Sequence, residues 1–382
     1  MHCSDIGIIG YGSSLYEKVP GLTEAGYLAR AGAAALASAG LDWADVDGLT
    51  VSSTTLHPDN AVTLAEHFGL MPRWTGISTS GGAGSNVNVL DAIQAVQSGR
   101  AQAVLCLAGS AQDAAYFRSR VNSFNRAVGD YLAPHGIGGM NSLFGMVQRR
   151  HMEEFGTTRA QLGRLSVAQR YNGARNPRAL LNWEISLQDY LDAPVIADPL
   201  CLYDCVMPCS GAEAVVVSAL DRGAEGRRVR VVGSGERHNY PTGDPTPLHG
   251  GWASFRDAMY DEAGFGPGDA DFLQAYDDYP IMVAIQMEDL GFCEKGAIGA
   301  LLERRDLTHV GDLPVNTGGG QLGCGQAGGA GGMIGITEAI CQLFGEGGAR
   351  QVPQARRGIV SGYGMVSYGH GLSATALALE AT

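Results

Sequence analysis

Apolar residues recur along this chain in short runs that alternate with longer amphipathic stretches, and turn residues separate the two. The run Ile6 to Tyr11 predicts a strand, and the periodic stretch from Thr23 to about Gly40 predicts a helix ending on a glycine C-cap. Val46 to Ser52 reads as a second strand. A Gly-Ser turn at Ser80 to Ser85 feeds a predicted helix from about Asn86 to Ser98, closed by Gly99, and the apolar strand Ala101 to Leu107 follows at once. This alternation predicts parallel strands covered by helices.

Residues 112 to 210 break the rhythm with a mixed stretch bearing proline and asparagine, expected to be an inserted loop domain with a helix near Asn141 to Phe155. Ala212 to Leu220 returns to strand, and the polar stretch Ala224 to Arg228 suggests a division into residues 1–223 and 224–382. The second half repeats the opening theme, with strands expected at Val229 to Ser234, Phe272 to Tyr276, Gly358 to Gly362 and Ser373 to Leu379. Helices are expected near Ala253 to Ala263, at Ile281 to Leu290, and at Met333 to Phe344 after the glycine-dense turn Gly318 to Gly332. Two α/β halves, neither able to cover its sheet alone, predict helices sandwiched between two sheets.

The chain has 382 residues, 45% hydrophobic and 17% charged, which fits a globular protein with a sizeable core and argues against disorder. Its 56 glycines are about twice the usual share of roughly 7%, so many tight turns and close backbone approaches are expected. A net charge of −13 argues against nucleic acid as a partner, because phosphate backbones are held by clustered Lys and Arg. No apolar run approaches the roughly 18–20 residues that span a bilayer, and Met1-His2-Cys3-Ser4-Asp5 leads straight into a strand, so no membrane partner and a cytoplasmic location are expected. The eight cysteines then read as reduced thiols. Cys201, Cys205 and Cys209 recur every four residues, a spacing that would align them on a helix, yet no CxxC pair or neighbouring histidine supports a metal site.

Gly10-Tyr11-Gly12 after the first strand resembles a dinucleotide-binding turn, but Leu15 stands where its third glycine belongs. Neither a GxxxxGK[ST] nor a GxSxG sequence occurs, which disfavours P-loop hydrolysis and the α/β-hydrolase elbow.

Three segments carry a family likeness: Tyr276-Asp277-Asp278-Tyr279, the run from Met287 to Gly296, and Asn316-Thr317-Gly318-Gly319-Gly320, together with the stretch Asp198 to Cys205 and Ser210-Gly211-Ala212. With them the chain resembles the sterol-carrier-protein-type thiolases over nearly its whole length. The resemblance implies the layered αβαβα thiolase fold, a CoA thioester as substrate with no covalently bound cofactor, a homodimer, and chemistry at the carbon next to the thioester. Residues Gly81, Ala83, Ser85, Asn316, Gly319, Gly320 and Gly329 fall in its substrate-binding loops.

Its catalytic motifs are altered here. Gly82 occupies the position of the nucleophilic cysteine, and Ser85 nearby reads as a helix N-cap or a lone serine without a base. Tyr276 replaces the first catalytic histidine, as in the thiolase-like aldolases that cut steroid side chains attached to CoA; the plain alternative is a tyrosine packed at a strand end. Gln326 replaces the histidine of the Gly-His-Pro motif, and could donate to a thioester oxygen but not transfer a proton. Tyr363, in a loop that carries cysteine in thiolases, is either an acid or base or a turn tyrosine; Cys324 is the one alternative nucleophile in the glycine-rich segment; and His135, in Pro134-His135-Gly136, either lines the acyl pocket or is structural.

Three functions are therefore open: a lyase working through an acyl-CoA enolate, an acyltransferase using Cys324 or another thiol, and a non-catalytic acyl-CoA-binding subunit. The family's aldolases work with a small zinc-bearing OB-fold protein, so such a partner is also expected.

Overall fold

A computed structural model of the chain describes residues 5–52, 61–121, 128–137, 139–224, 226–241, 243–244, 246–364 and 372–382. The opening Met1-His2-Cys3-Ser4 lies outside the described residues.

The first half runs β1 (Ile6–Ser13), α1 (Glu24–Ala39), β2 (Gly48–Ser52), α2 (Ala61–His67), β3 (Trp74–Ser78), α3 (Gly84–Gln97) and β4 (Ala103–Ser110). An excursion follows with α4 (Ala114–Val121), α5 (Gly139–Phe155), α6 (Arg159–Gly173), α7 (Leu187–Leu191), β5 (Val195–Ala197) and β6 (Leu200–Cys201), before β7 (Gly211–Ala219) closes the half. The second half runs β8 (Val229–Tyr240), α8 (Arg256–Ala263), β9 (Phe272–Ala275), α9 (Pro280–Asp289), α10 (Ile298–Arg304), α11 (Gly320–Cys324), α12 (Ile334–Leu343), β10 (Arg357–Gly364) and β11 (Leu372–Ala381).

Among the described residues nine strands form one sheet, ordered β3-β2-β4-β7-β1-β8-β11-β10-β9. Its two parts meet only at Ile8 and Val229, which join β1 to β8. The same order governs both parts: Val315 makes a single parallel bridge to Leu273 of β9, in the place that β3 takes beside β2. The repeat is thus visible in topology, with β8, β9, β10 and β11 standing for β1, β2, β4 and β7. The sheet is mixed rather than parallel, contrary to the expectation from alternation. β2 is parallel to β3 and β4, and β9 to β10, but β7 runs antiparallel to β1 and β4, and β11 to β8 and β10. No helix separates β10 from β11 among the described residues, and strands joined without a crossover pair antiparallel.

Three apolar cores account for five layers. One buries α1 on the outer face of the first half-sheet, with Leu28, Ala31, Ala35 and Leu36 against Leu49, Val51, Leu105 and Val216. The middle core holds α3 and α12 between the two half-sheets, where Val89, Ile93, Ile336 and Ile340 meet Val104, Val215, Val360 and Leu377. The third places α9, α10 and α6 on the outer face of the second half. Helix α1 is started by Thr23, whose side chain accepts from the Gly26 N–H, and stopped by Gly40 at φ +68°. Gly12 belongs to this packing: a Cβ there would lie 2.3 Å from the Ala35 nitrogen, so Gly10-Tyr11-Gly12 is glycine-rich for strand-to-helix approach.

Helix α6 escaped the periodicity because it buries Gln169, Arg170 and Asn172 along with its leucines, although its capping box of Thr158 and Gln161 is plain in the sequence. The three cysteines whose spacing would align them on a helix are not on one. Cys201 ends β6, Cys205 follows a single 3-10 turn, and Cys209 lies in extended chain beyond Pro208. Asp204 holds the start of that turn by accepting from the Cys201 N–H and the Tyr190 hydroxyl, and the chain leaves it in extended conformation at Cys205 (φ −110°, ψ 134°).

Candidate active site

Four segments converge where the half-sheets meet the middle helices. The first is the 3-10 turn Gly81–Ala83, which leads into α3. Gly82 has no room for a side chain: a Cβ there would sit 2.0 Å from Cε2 of Tyr276 and 2.4 Å from two further atoms of that ring. Its carbonyl oxygen lies 2.7 Å from the Cβ position of Gly332 and 2.9 Å from that of Gly362, and the Ser80 oxygen 1.8 Å from that of Gly364. Three glycines on two other segments, the Gly328–Gly332 turn and β10, are thus what lets this turn seat. Ser85 is not the N-cap expected from sequence. The cap position of α3 is Ala83, without a side-chain hydrogen bond, and Ser85, the second residue of the helix, is buried with its hydroxyl unpartnered.

Tyr276 follows β9 and is held firmly. Its N–H donates to the Ser361 carbonyl at 3.1 Å, its carbonyl accepts from Gln286 Nε2 at 2.7 Å, and its hydroxyl donates to Asp278 Oδ2 at 2.8 Å. Burial, and then the Asp278 carboxylate, hold the phenol well above its ordinary value of 10. The two aspartates beside it differ. Asp277 accepts from the Gln321 and Leu322 N–H groups at 3.0 and 3.2 Å and from Gln169 Nε2, which anchors the first turn of α11. Asp278 accepts only from Tyr276, and its Oδ1 is buried without a partner. Burial pushes Asp278 up to about 6 and Asp277 up to about 7.

The third segment holds Asn316, Gly319 and Gly320, all at positive φ (48°, 95° and 58°). Asn316 Oδ1 accepts from the Ala275 N–H at 2.7 Å while its Nδ2 is buried and unpartnered. Gly319 abuts the Gly173 backbone of α6, and Gly320 abuts Asp277. Gln321 follows with its amide beside the Tyr276 hydroxyl and the Asp278 carboxyl, aligned for a hydrogen bond with neither. A cavity of about 20 Å³, room for a single water, lies behind Tyr276 and is lined by Asn316, Gly320, Cys324, Gly332 and Ser361 among others.

The fourth segment carries Gln326 and the 3-10 turn Gly328–Gly332 that includes Gly329. Gln326 Oε1 accepts from Gln112 Nε2 at 3.1 Å and from the Gly328 N–H at 3.4 Å, contacts that fix the carbonyl end of its amide. Gln112, just past β4, also donates to the Gln326 carbonyl at 2.9 Å, a positioning contact that nothing in the sequence signalled.

Of the remaining sequence candidates only Cys324 borders the Tyr276 cavity. Tyr363 is 1% exposed, with its ring against Trp252 and Phe144, on the outer face of β10, whereas its neighbours Gly362 and Gly364 face the Gly82 turn. Cys324 is 2% exposed, its thiol donates to the Gly318 carbonyl at 3.3 Å, and burial pushes it up to about 12. His135 is exposed in the short turn Ala133–His135 and does not line the Tyr276 cavity. Beside Gln112, Asp278 and Gln321 are the residues at this site that sequence reasoning missed. Asp278 stood in plain view beside Tyr276, but which of two adjacent aspartates has a spare oxygen is decided by α11.

Among the described residues no group of three or more His, Cys, Asp or Glu is arranged to hold a metal, and no helix is long and apolar enough to cross a membrane.

The family model for thiolase C-terminal domain-like sequences matches residues 233–375. An acetyl-CoA acetyltransferase of Methanothermobacter thermautotrophicus is 30% identical over 94% of this chain and 96% of its own length. The 17-hydroxy-3-oxo-4-pregnene-20-carboxyl-CoA lyase of Mycobacterium tuberculosis is 31% identical over 88% of this chain and 91% of its own length. The solved Ltp2-ChsH2(DUF35) aldolase superposes with a TM-score of 0.83 at 28% identity, covering 99% of this chain and 98% of that one. With the layered fold and the four convergent segments, these similarities establish that the chain belongs to the thiolase superfamily, in its sterol-carrier-protein-type branch.

Proposed function

We propose that this protein breaks or forms a carbon-carbon bond beside the carbonyl of an acyl-CoA thioester, through an enolate and without an acyl-enzyme. One observation carries the proposal: the Tyr276 ring fills the space that a side chain at position 82 would need, so the turn before α3 has no place for the cysteine of a thiolase. The printed activities of two relatives, a CoA-ester lyase and a steroid side-chain-cleaving aldolase, support the same direction.

In the cleavage direction the hydroxyl proton of a β-hydroxyacyl-CoA passes to the enzyme, the O–H pair becomes the new carbonyl, and the Cα–Cβ pair becomes the enolate. Tyr276 is the group that handles this proton. The Gln326 NH2, whose carbonyl end is tied to Gln112, and backbone N–H groups of the glycine turns steady the developing thioester oxyanion. Gly81, Ala83, Ser85, Asn316, Gly319, Gly320 and Gly329 shape the binding loops, with the excursion of residues 112–210 setting the acyl pocket between the halves 1–223 and 224–382. His135 and Tyr363 take no part in this scheme.

An acyltransferase that uses Cys324 is less well supported, because a buried thiol pushed up to about 12 is a poor nucleophile at neutral pH. The seven described cysteines are free thiols, which suits a cytoplasmic enzyme. A homodimer is supported by β3, an edge strand with Ile77 49% exposed, since such edges need covering. A small OB-fold partner is supported by the complex named for the solved aldolase.

The test is exchange of the α-protons of propionyl-CoA in D2O, followed by mass spectrometry. Wild type should exchange and Tyr276→Phe should not. Absence of exchange in wild type, with a candidate OB-fold partner present, would favour a binding subunit.

A further inference from the structure

Tyr276 alone is a poor match for the proton transfer asked of it. A phenol held well above 10 carries no accessible phenolate at neutral pH, so it cannot act as a base unless another group takes its own proton at the same moment. Among the described residues one group is placed to do so. The Tyr276 hydroxyl donates to Asp278 Oδ2 at 2.8 Å, and among the described residues no other well-aligned hydrogen bond engages that carboxyl, the Gln321 amide lying beside it. Its Oδ1 is enclosed by protein yet meets no donor, and an unsatisfied buried carboxylate oxygen is costly unless it has a function.

The surroundings are consistent with a proton acceptor and not with a structural anchor. Among the described residues no basic side chain is ion-paired to Asp278; the titratable groups that face it are the Tyr276 and Tyr279 phenols and the adjacent Asp277. Asp277 makes the contrast, since three donors saturate it and fix it as the anchor of α11. Across from Asp278 stands Gln321, 0% exposed, whose amide lies beside both the Tyr276 hydroxyl and the Asp278 carboxyl without a well-aligned hydrogen bond to either, so it can tighten onto Asp278 as its charge changes.

We propose that Asp278 is the proton acceptor of this site and works through Tyr276 as a relay. The inference rests on the enolate reading above and names where its proton goes. As the substrate O–H or α-C–H bond breaks, its proton bonds to Tyr276 Oη, the phenol's own proton moves to Asp278 Oδ2, and the released electron pair enters the new carbonyl or the enolate. Cleavage leaves the proton on Asp278, and the reverse shift delivers it to the α-carbon of the departing acyl-CoA. The cycle closes with no oxidant, reductant or further co-reactant. Asp278 does not touch substrate and is a positioning and proton-holding residue behind the phenol.

Asp278→Asn keeps the shape and can still accept from the phenol, but cannot hold the proton. α-Proton exchange of propionyl-CoA in D2O should fall by about 10²–10⁴-fold, the range for loss of a general base, while propionyl-CoA binding measured by calorimetry stays within about twofold. Asp278→Glu should recover part of the rate. In wild type the exchange rate should fall below a pH near 6, where burial has raised this carboxyl, and the residual rate of Asp278→Asn should lack that limb. A wild-type rate flat between pH 5 and 8, or Asp278→Asn exchanging like wild type, overturns the relay and leaves the enolate reading intact. A wild type that fails to exchange overturns both. Should Asp278→Asn not fold, the wild-type pH limb and the Asp278→Glu rate decide alone.

Discussion

The contact between Gly82 and Tyr276 can be weighed by adding a single methyl group. Gly82 does not need a left-handed φ, so alanine suits its backbone and the penalty of Gly82→Ala measures space. The new Cβ would stand 2.0 Å from Tyr276 Cε2, so the ring must retreat by roughly 1.5 Å to reach the ordinary carbon contact of about 3.5 Å. Overpacking of this kind costs about 1–3 kcal/mol. The ring cannot slide away freely, because its hydroxyl is bonded to Asp278 and its backbone to Ser361 and Gln286; loss of the bond to the carboxylate adds about 1.5–3 kcal/mol. Against this, alanine returns about 0.4–1 kcal/mol by restricting the unfolded chain. The net expectation is a loss of roughly 2–4 kcal/mol, which for a chain of 382 residues at about 2.1 cal/mol/K per residue lowers Tm by about 3–5 °C. In a Tyr276→Ala background the same Gly82→Ala change should cost less than about 0.5 kcal/mol. Calorimetric melting of the four proteins gives the coupling energy, expected near the full 2–4 kcal/mol. Equal penalties in the two backgrounds would show that the ring does not occupy the position-82 side-chain volume, and the case against a nucleophile there would fail.

Two further outcomes are expected. The folded-state value of Asp278 is raised to about 6 from 3.8, so its contribution to stability is complete below about pH 4 and is lost as pH rises through 6; urea midpoints of Asp278→Asn should therefore gain on wild type between pH 5 and pH 8, and a constant difference would contradict the assignment. Native protein treated with iodoacetamide at pH 7 should show Cys324 unmodified by peptide mass mapping, and Cys324→Ser should retain α-proton exchange within about threefold; rapid alkylation with loss of exchange would restore the acyltransferase alternative.

Elements with a clean period were legible in the sequence. Helix α1 shows its apolar stripe and both its caps, and most strands of the half-sheets appear as apolar runs near their bounds, but β3, half exposed at the sheet edge, gave no apolar run and β8 runs six residues beyond the expected Ser234. Helix α6 was not legible, because the polar residues it buries serve tertiary contacts: Gln169 holds Asp277, and Asn172 Nδ2 donates to the Val315 carbonyl at 3.1 Å. The four-residue spacing of Cys201, Cys205 and Cys209 carries no helix, because the chain turns extended at Cys205, yet the first and last of these thiols are fully buried all the same.

The site divides in the same way. Gly82, Tyr276 and Gln326 were singled out one at a time from the sequence, each by its resemblance to a motif position. What they do to one another could not. That a phenol fills the space at Gly82, that Gln112 turns the Gln326 amide, that Asp277 is saturated and Asp278 is not, and that Tyr363 faces away on β10 are all relations between segments far apart in the chain. Local sequence sets the conformations each segment can adopt, through periodicity, caps and turns. Which side chains then share a volume or a proton depends on how the two half-sheets close on α3 and α12, and that closure is determined only by packing across the whole molecule.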